Sequence, residues 1–143
     1  LRNANLRQEL CFRENVCVAI NQQHPLAKRP HIELAEIAAE PMLTLAIDKS
    51  PEPCYLIQCC EAAGFTPTSF REATEPQTLL AMVGAGLGVA LMPETTSRIG
   101  WPGVAFLPIK TNPPSANLYI TYTAQDDAPV VRAFLNILSP VVA

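Results

Sequence analysis

QTLLAMVGAGLGVALMPETT, Gln77 to Thr96, is the stretch whose reading decides the fold. Leu79, Leu80, Met82 and Val83 recur on one helix face, and Thr74 with Gln77 three residues on predicts a capping box at its start. Gly84 to Gly86 closes that helix, after which Val89 to Met92 reads as a short apolar strand stopped by Pro93. The GAGLG run, Gly84 to Gly88, has the glycine density of a dinucleotide fingerprint. That fingerprint follows a strand and opens a helix, whereas this run follows a helix and opens a strand. Its glycines therefore read as a helix stop and a tight turn.

Upstream the same alternation continues. Glu9 to Phe12 and Val16 to Ile20 read as strands, the second β-branched enough to be buried. NQQHPLAKRP is a polar loop with two prolines, Ile32, Leu34 and Ile37 suit a short helix ending before Pro41, and Met42 to Ile47 (MLTLAI) is a strand. Ser50 is a suitable N-cap and Pro51 a suitable first helical residue for a helix carrying Leu56, Cys59, Cys60 and Ala63 up to Gly64. Thr66 to Ala73 is the next strand. Downstream, Glu94 to Ile99 predicts a brief helix before the WPG turn at Trp101 to Gly103, and Val104 to Ile109 and Leu118 to Thr123 predict strands. Asp127 then caps a helix with Val130, Val131, Phe134, Leu135 and Leu138 on one face.

Alternating elements of this length place the chain in the α/β class, with a largely parallel sheet covered by helices on both faces. Open sheets of that kind bind small ligands outside the carboxyl ends of their strands, here the turns Ile47 to Pro51 and Ala73 to Glu75. Glu52 and Glu75 fall in first helical turns, where an acid suits the helix dipole without further function. If these helix starts face a cleft, their N–H groups are suited to an anion. Pro51, Pro53 and Pro76 remove donors and the two glutamates repel such a ligand, with Lys49 and Arg71 as the offsetting cations.

The chain has 143 residues, 49% hydrophobic and 16% charged, with fourteen prolines against six glycines: enough for a folded core, and no low-complexity run. A net charge of −3 argues against a nucleic-acid footprint on these residues. The start at Leu1 rather than methionine suggests upstream material. No apolar run approaches the roughly 20 residues of a membrane span. Cys11, Cys17, Cys54, Cys59 and Cys60 form an odd set without a CxxC pair, which reads as reduced thiols and favours the cytoplasm. His24 and His31 share a proline-bounded loop with no acid-rich or thiol-rich partner set; they read as a turn histidine, suited to capping a backbone carbonyl, and a surface histidine. No nucleophile elbow, phosphate loop or zinc-peptidase pattern is present. The expectation is no enzyme, no metal and no cofactor.

HPLA at His24 to Ala27, EPMLTL at Glu40 to Leu45, Gly64-Phe65 and above all Gln77 to Thr96 resemble the effector domain of bacterial LysR-type transcriptional regulators. The resemblance covers essentially the whole chain. It implies a fold like a periplasmic binding protein: residues 1–14 as a remnant of subdomain I and the first crossover, 15–125 as effector-binding subdomain II with a mixed, largely parallel sheet, and 126–143 as the C-terminal helix of subdomain I. The DNA-binding winged helix-turn-helix lies outside this chain. By the same resemblance a small-molecule effector, an organic or aromatic acid, contacts Ile47, Asp48, Lys49, Ser50 and Pro51 together with Ala73, Thr74 and Glu75. Binding then shifts the subdomain angle in a homodimer or homotetramer and so reaches DNA. The helix from Pro53 to Ala63 is expected near the dimer interface.

A periplasmic solute-binding protein shares this architecture and stands as the alternative, although unpaired cysteines count against it. An α/β metabolic enzyme and a stand-alone interaction module are further rivals. The first lacks an anchor for catalysis, and the second leaves Phe134, Leu135 and Leu138 in need of a covering surface.

Overall fold

The computed structural model describes residues 5–48, 51–68, 70–125 and 128–138. The chain forms two compact units, one of Asn15–Pro114 and one combining Leu1–Glu14 with Ser115–Ala143. The strand Leu118–Thr123 thus clusters with the N-terminal strand, where the sequence reading grouped it with 15–125.

In the Asn15–Pro114 unit, β2 (Val16–Asn21), β3 (Met42–Leu45), β4 (Phe70–Ala73), β5 (Val89–Pro93) and β6 (Val104–Pro108) make a five-stranded sheet in the order β4-β3-β5-β2-β6. β3 pairs in parallel with β4 and β5, whereas β2 is antiparallel to both β5 and β6. Four strands therefore share one direction and the sheet is mixed. The central VCVAI run reports burial on both faces, and every residue from Val16 to Ile20 is buried. Burial is silent about direction, because either partner arrangement hides both faces.

Two helices cover opposite faces. Ala19, Leu43, Ala73, Ala90 and Met92 pack with Leu79, Leu80 and Val83 of α2 (Pro76–Gly84). The alternate residues Met42, Thr44 and Leu91 lie on the side of α1 (Glu52–Ala62), whose Pro53 and Cys60 are buried. Each fully buried Leu or Val of α2 contributes about 1.5–3 kcal/mol. A short helix α3 (Thr96–Ile99) follows β5.

Several local expectations change. The capping box at Thr74 does not form: Glu75 is the N-cap, without a side-chain capping bond, because Pro76 opens the helix and holds Glu75 extended at φ −130°. α1 begins at Glu52 with Pro51 as its N-cap rather than its first residue; the predicted cap Ser50 lies outside the described residues. β4 starts at Phe70, not Thr66, since its ladder is limited to the four residues opposite Met42–Leu45 and Pro67 has no N–H to give. The segment around Ile32 to Ile37 tightens into a four-residue 3-10 helix, Leu34–Ile37, and Pro25–Lys28 forms another inside the expected loop. His24 accepts at that helix start, from Leu26 N–H at 3.2 Å, instead of donating to a carbonyl, and its Nε2 meets Glu40 at 3.1 Å. The GAGLG glycines act as expected: α2 ends at Gly84, Gly86 has φ +76°, and a Cβ on Gly88 would lie 2.3 Å from the Pro41 carbonyl oxygen.

In the other unit, β1 (Leu6–Phe12) pairs antiparallel with β7 (Leu118–Thr123), with an irregularity between Leu10 and Phe12. The Tyr122 hydroxyl donates to Glu9 across this ribbon. The last helix, α4 (Pro129–Leu138), departs from the predicted single stripe. Val131, Leu135 and Leu138 are half-buried, while Val130 and Phe134 are exposed at 73% and 52%. The predicted cap Asp127 lies outside the described residues.

Candidate functional site

The parallel pairing of β3 with β4 brings the two predicted turns to one end of the sheet. Leu45 stands opposite Ala73, and the Ala46 N–H donates to the Ala73 carbonyl at 3.0 Å. The chain beyond each strand therefore leaves side by side. Ile47 and Asp48 on one turn, Thr74 and Glu75 on the other, and Pro51 at the start of α1 are exposed, whereas Ala73 is buried in the sheet. Lys49 and Ser50 lie outside the described residues. Both helices begin at this same end, since each follows directly from its strand: α1 after β3 and α2 after β4. β5, parallel to β3, also finishes here, so Glu94 and Thr95 form a third turn beside the other two. Sequence reading missed that turn because its neighbour in the sheet, β3, is distant in sequence. The signal was present in Pro93, which stops an apolar strand just before a polar ETT.

A second feature lies behind these turns. A cavity of about 210 Å³ sits between α1 and the strands β3 and β5 of the Asn15–Pro114 unit, lined by Met42, Thr44, Leu91, Leu56 and Cys60 among others. None of the six predicted site residues that are described lines it, although Leu45, Glu52 and Pro76, which flank the predicted turns, do. Cys60 is fully buried at its wall, and desolvation, with the neighbouring Cys59 and Glu61 charges, pushes its thiol up to about 11. It is thus a neutral, unreactive group at pH 7. Of Leu56, Cys59, Cys60 and Ala63, which recur at helical spacing, Leu56 and Cys60 line this cavity, while Cys59 and Ala63 line a different recess beside Leu34 and Thr111.

The described residues contain no helix long and apolar enough to cross a membrane. The sequence matches the family model of the LysR substrate binding domain over residues 1–143. Among curated proteins it is 35% identical over 127 residues to the HTH-type transcriptional regulator XapR of Escherichia coli, covering 85% of this chain and 41% of that protein. It is 29% identical over 139 residues to the HTH-type transcriptional regulator AlsR of Bacillus subtilis, covering 96% and 46%. The chain thus spans under half the length of these two relatives. Among solved structures, the BenM effector binding domain with its effector benzoate superposes with a TM-score of 0.86 at 21% identity, over 99% of this chain and 65% of that one. The LysR family regulator CbnR gives 0.85 at 17% identity, over 100% and 50%. Those two likenesses establish a shared fold, that of effector domains built like periplasmic binding proteins. With the family model spanning every residue and the mixed sheet matching these domains, the chain belongs to the LysR substrate-binding domain family.

Proposed function

We propose that this chain is the greater part of the effector-sensing domain of a LysR-type transcriptional regulator, and that effector is held by Ile47, Asp48, Lys49, Ser50 and Pro51 together with Ala73, Thr74 and Glu75. The observation that carries this reading is the parallel β3–β4 pair, which delivers both turns to one sheet end in a chain whose whole length matches the family. Residues 1–14 and 126–143 belong on this reading to subdomain I, and 15–125 to subdomain II with its crossover, the crossover strand being Leu118–Thr123, which pairs with β1. The remainder of subdomain I and a winged helix-turn-helix are encoded upstream. The protein acts in the cytoplasm as a homodimer or homotetramer, is not an enzyme, and meets DNA only through the upstream domain. The relatives' names do not favour the solute-binding alternative.

The outer side of α1 suits a place near the dimer interface: Cys54, Gln58 and Tyr55 are exposed, Tyr55 at 40%. The effector is an organic acid, aromatic acids being the first class to screen, since a benzoate complex exists for a protein of this fold.

The experiment is a screen of organic acids by thermal shift on the complete effector domain, followed by Asp48→Ala and Thr74→Ala. A bound acid whose affinity falls about tenfold, roughly 1.4 kcal/mol, in either variant supports the site. An acid that binds both variants unchanged removes these turns from the site. Sequencing the coding region in frame upstream of Leu1 tests the rest: a signal peptide followed by another α/β lobe would replace the regulator with a solute-binding protein.

A further inference from the structure

The cavity beneath α1 has a chemistry of its own. A recess of about 210 Å³, partly open to solvent, lies between α1 and the strands β3 and β5, and its walls are mostly apolar. An apolar cavity of about 150 Å³ stays dry and takes up benzene. The present one has room for a ring with a substituent. Met42 and Leu91 line it from the sheet, Pro53 and Leu56 from the helix, and the Thr44 hydroxyl is the polar group on the strand side. Among the described residues that line it there is no Lys, Arg or His, and Glu52 is the one charged side chain. A ligand carboxylate would find no counter-charge among them. Glu52 and Phe70 are both exposed as well as lining, which marks a way in from solvent.

We propose that this cavity is a binding site for a neutral, compact apolar molecule of single-ring aromatic size, separate from the effector turns. Its occupant fills contacts that the sheet and α1 otherwise lack and so ties the helix to β3. Leu45 lies two residues before Ile47, Glu52 directly follows Pro51 and Pro76 directly follows Glu75, so an occupant also braces the flanks of both turns; this last consequence rests on the effector reading above.

The test uses the whole chain and toluene as the probe, followed by thermal unfolding and by methyl NMR. The expected result is a melting temperature that rises with toluene concentration, as binding to the folded state alone requires, with methyl shifts at Met42, Leu56 and Leu91. Cys60→Leu, which adds carbon where the void lies, weakens toluene at least tenfold, and Leu91→Phe does the same from the sheet side. Cys54→Leu, on the exposed side of α1, leaves the response intact. Asp48→Ala and Thr74→Ala also leave it intact, so failure of the effector site and failure of this one are read separately. The proposal is overturned if toluene gives no saturable shift, or if its effect survives whichever filling variant folds.

Discussion

β2 and β7 are strands of equal length, six residues each, and they live in different physical worlds. VCVAI of β2 is buried throughout between two partner strands, whereas LYITYT of β7 has one partner and leaves Leu118 exposed at 62% and Tyr119 at 48%. The contrast extends to the helices. α2 buries Leu79, Leu80 and Val83 against the sheet, while α4 buries no residue. A two-stranded ribbon is marginal in water by itself, and a five-stranded sheet with helices on both faces is not. The Asn15–Pro114 unit thus carries the fold's stability, and the other unit carries apolar surface.

The largest test of that contrast is a pair of truncations. Leu43→Ala in β3 removes a side chain that is 1% exposed and costs about 3–4 kcal/mol, while Phe134→Ala on α4 costs under about 1 kcal/mol, both read from urea unfolding. Equal losses would show that α4 is packed as tightly as the sheet.

Next comes the backbone of the same sheet. Gly88→Ala drives a Cβ against the Pro41 carbonyl oxygen at 2.3 Å, in the approach whose Val89 N–H to Pro41 bond of 2.9 Å ties α2's exit to β3. A loss of about 2–3 kcal/mol is expected. Gly64→Ala, at φ +95° with open space around it, is expected to cost only about 1 kcal/mol. A Gly88→Ala chain that melts like its Gly64→Ala counterpart would mean that the start of the β3–β5 pair gives way more easily than its packing implies.

A smaller effect follows from Cys60. Its thiol, ordinarily near 9, is pushed up to about 11 by burial, so between those values the folded chain keeps a proton that the unfolded chain has released. Stability from this group is complete below pH 9 and declines as pH rises toward 11. Urea unfolding of the unmodified chain and of Cys60→Ala over that range should diverge in slope, with the steeper fall in the unmodified chain. Parallel slopes would place the thiol in water rather than under α1.

What the sequence disclosed follows from the range of the forces involved. Pro51, Pro76, Gly64 and Gly84 act on neighbouring dihedrals, so both long helices of the central unit were legible within a residue or two. The Thr74 box failed at the same range, because two local signals competed and proline geometry outranked a side-chain hydrogen bond. The reversed direction of β2 was illegible: buried β-branched runs look alike in either orientation, and its partners lie some seventy residues and more away. Of the candidate site, the turns could be placed from the strand-end rule, with Ala46 and Ala73 now joined by a hydrogen bond. The cavity could not. Leu56 and Cys60 at helical spacing announce an apolar face, and only the separation of α1 from Thr44 and Leu91 decides whether that face meets atoms or space.

The change with the smallest effect on stability bears most directly on the outer unit. Val130, Phe134 and Ile137 recur at helical spacing on α4 and are 73%, 52% and 69% exposed, an apolar stripe of the sort that folded monomers rarely leave open. The expected outcome for this chain alone is self-association through the stripe, read as a light-scattering mass above one chain that rises with concentration. Phe134→Lys should weaken that association about tenfold, or roughly 1.4 kcal/mol, while changing folding stability by no more than about 0.5 kcal/mol. A monomeric chain at millimolar concentration would break the comparison from the other side, by showing that the exposed stripe is too small to act alone. An associating chain indifferent to Phe134→Lys would move the contact off α4, with Leu118 and Tyr119 of β7 as the next apolar surface to change.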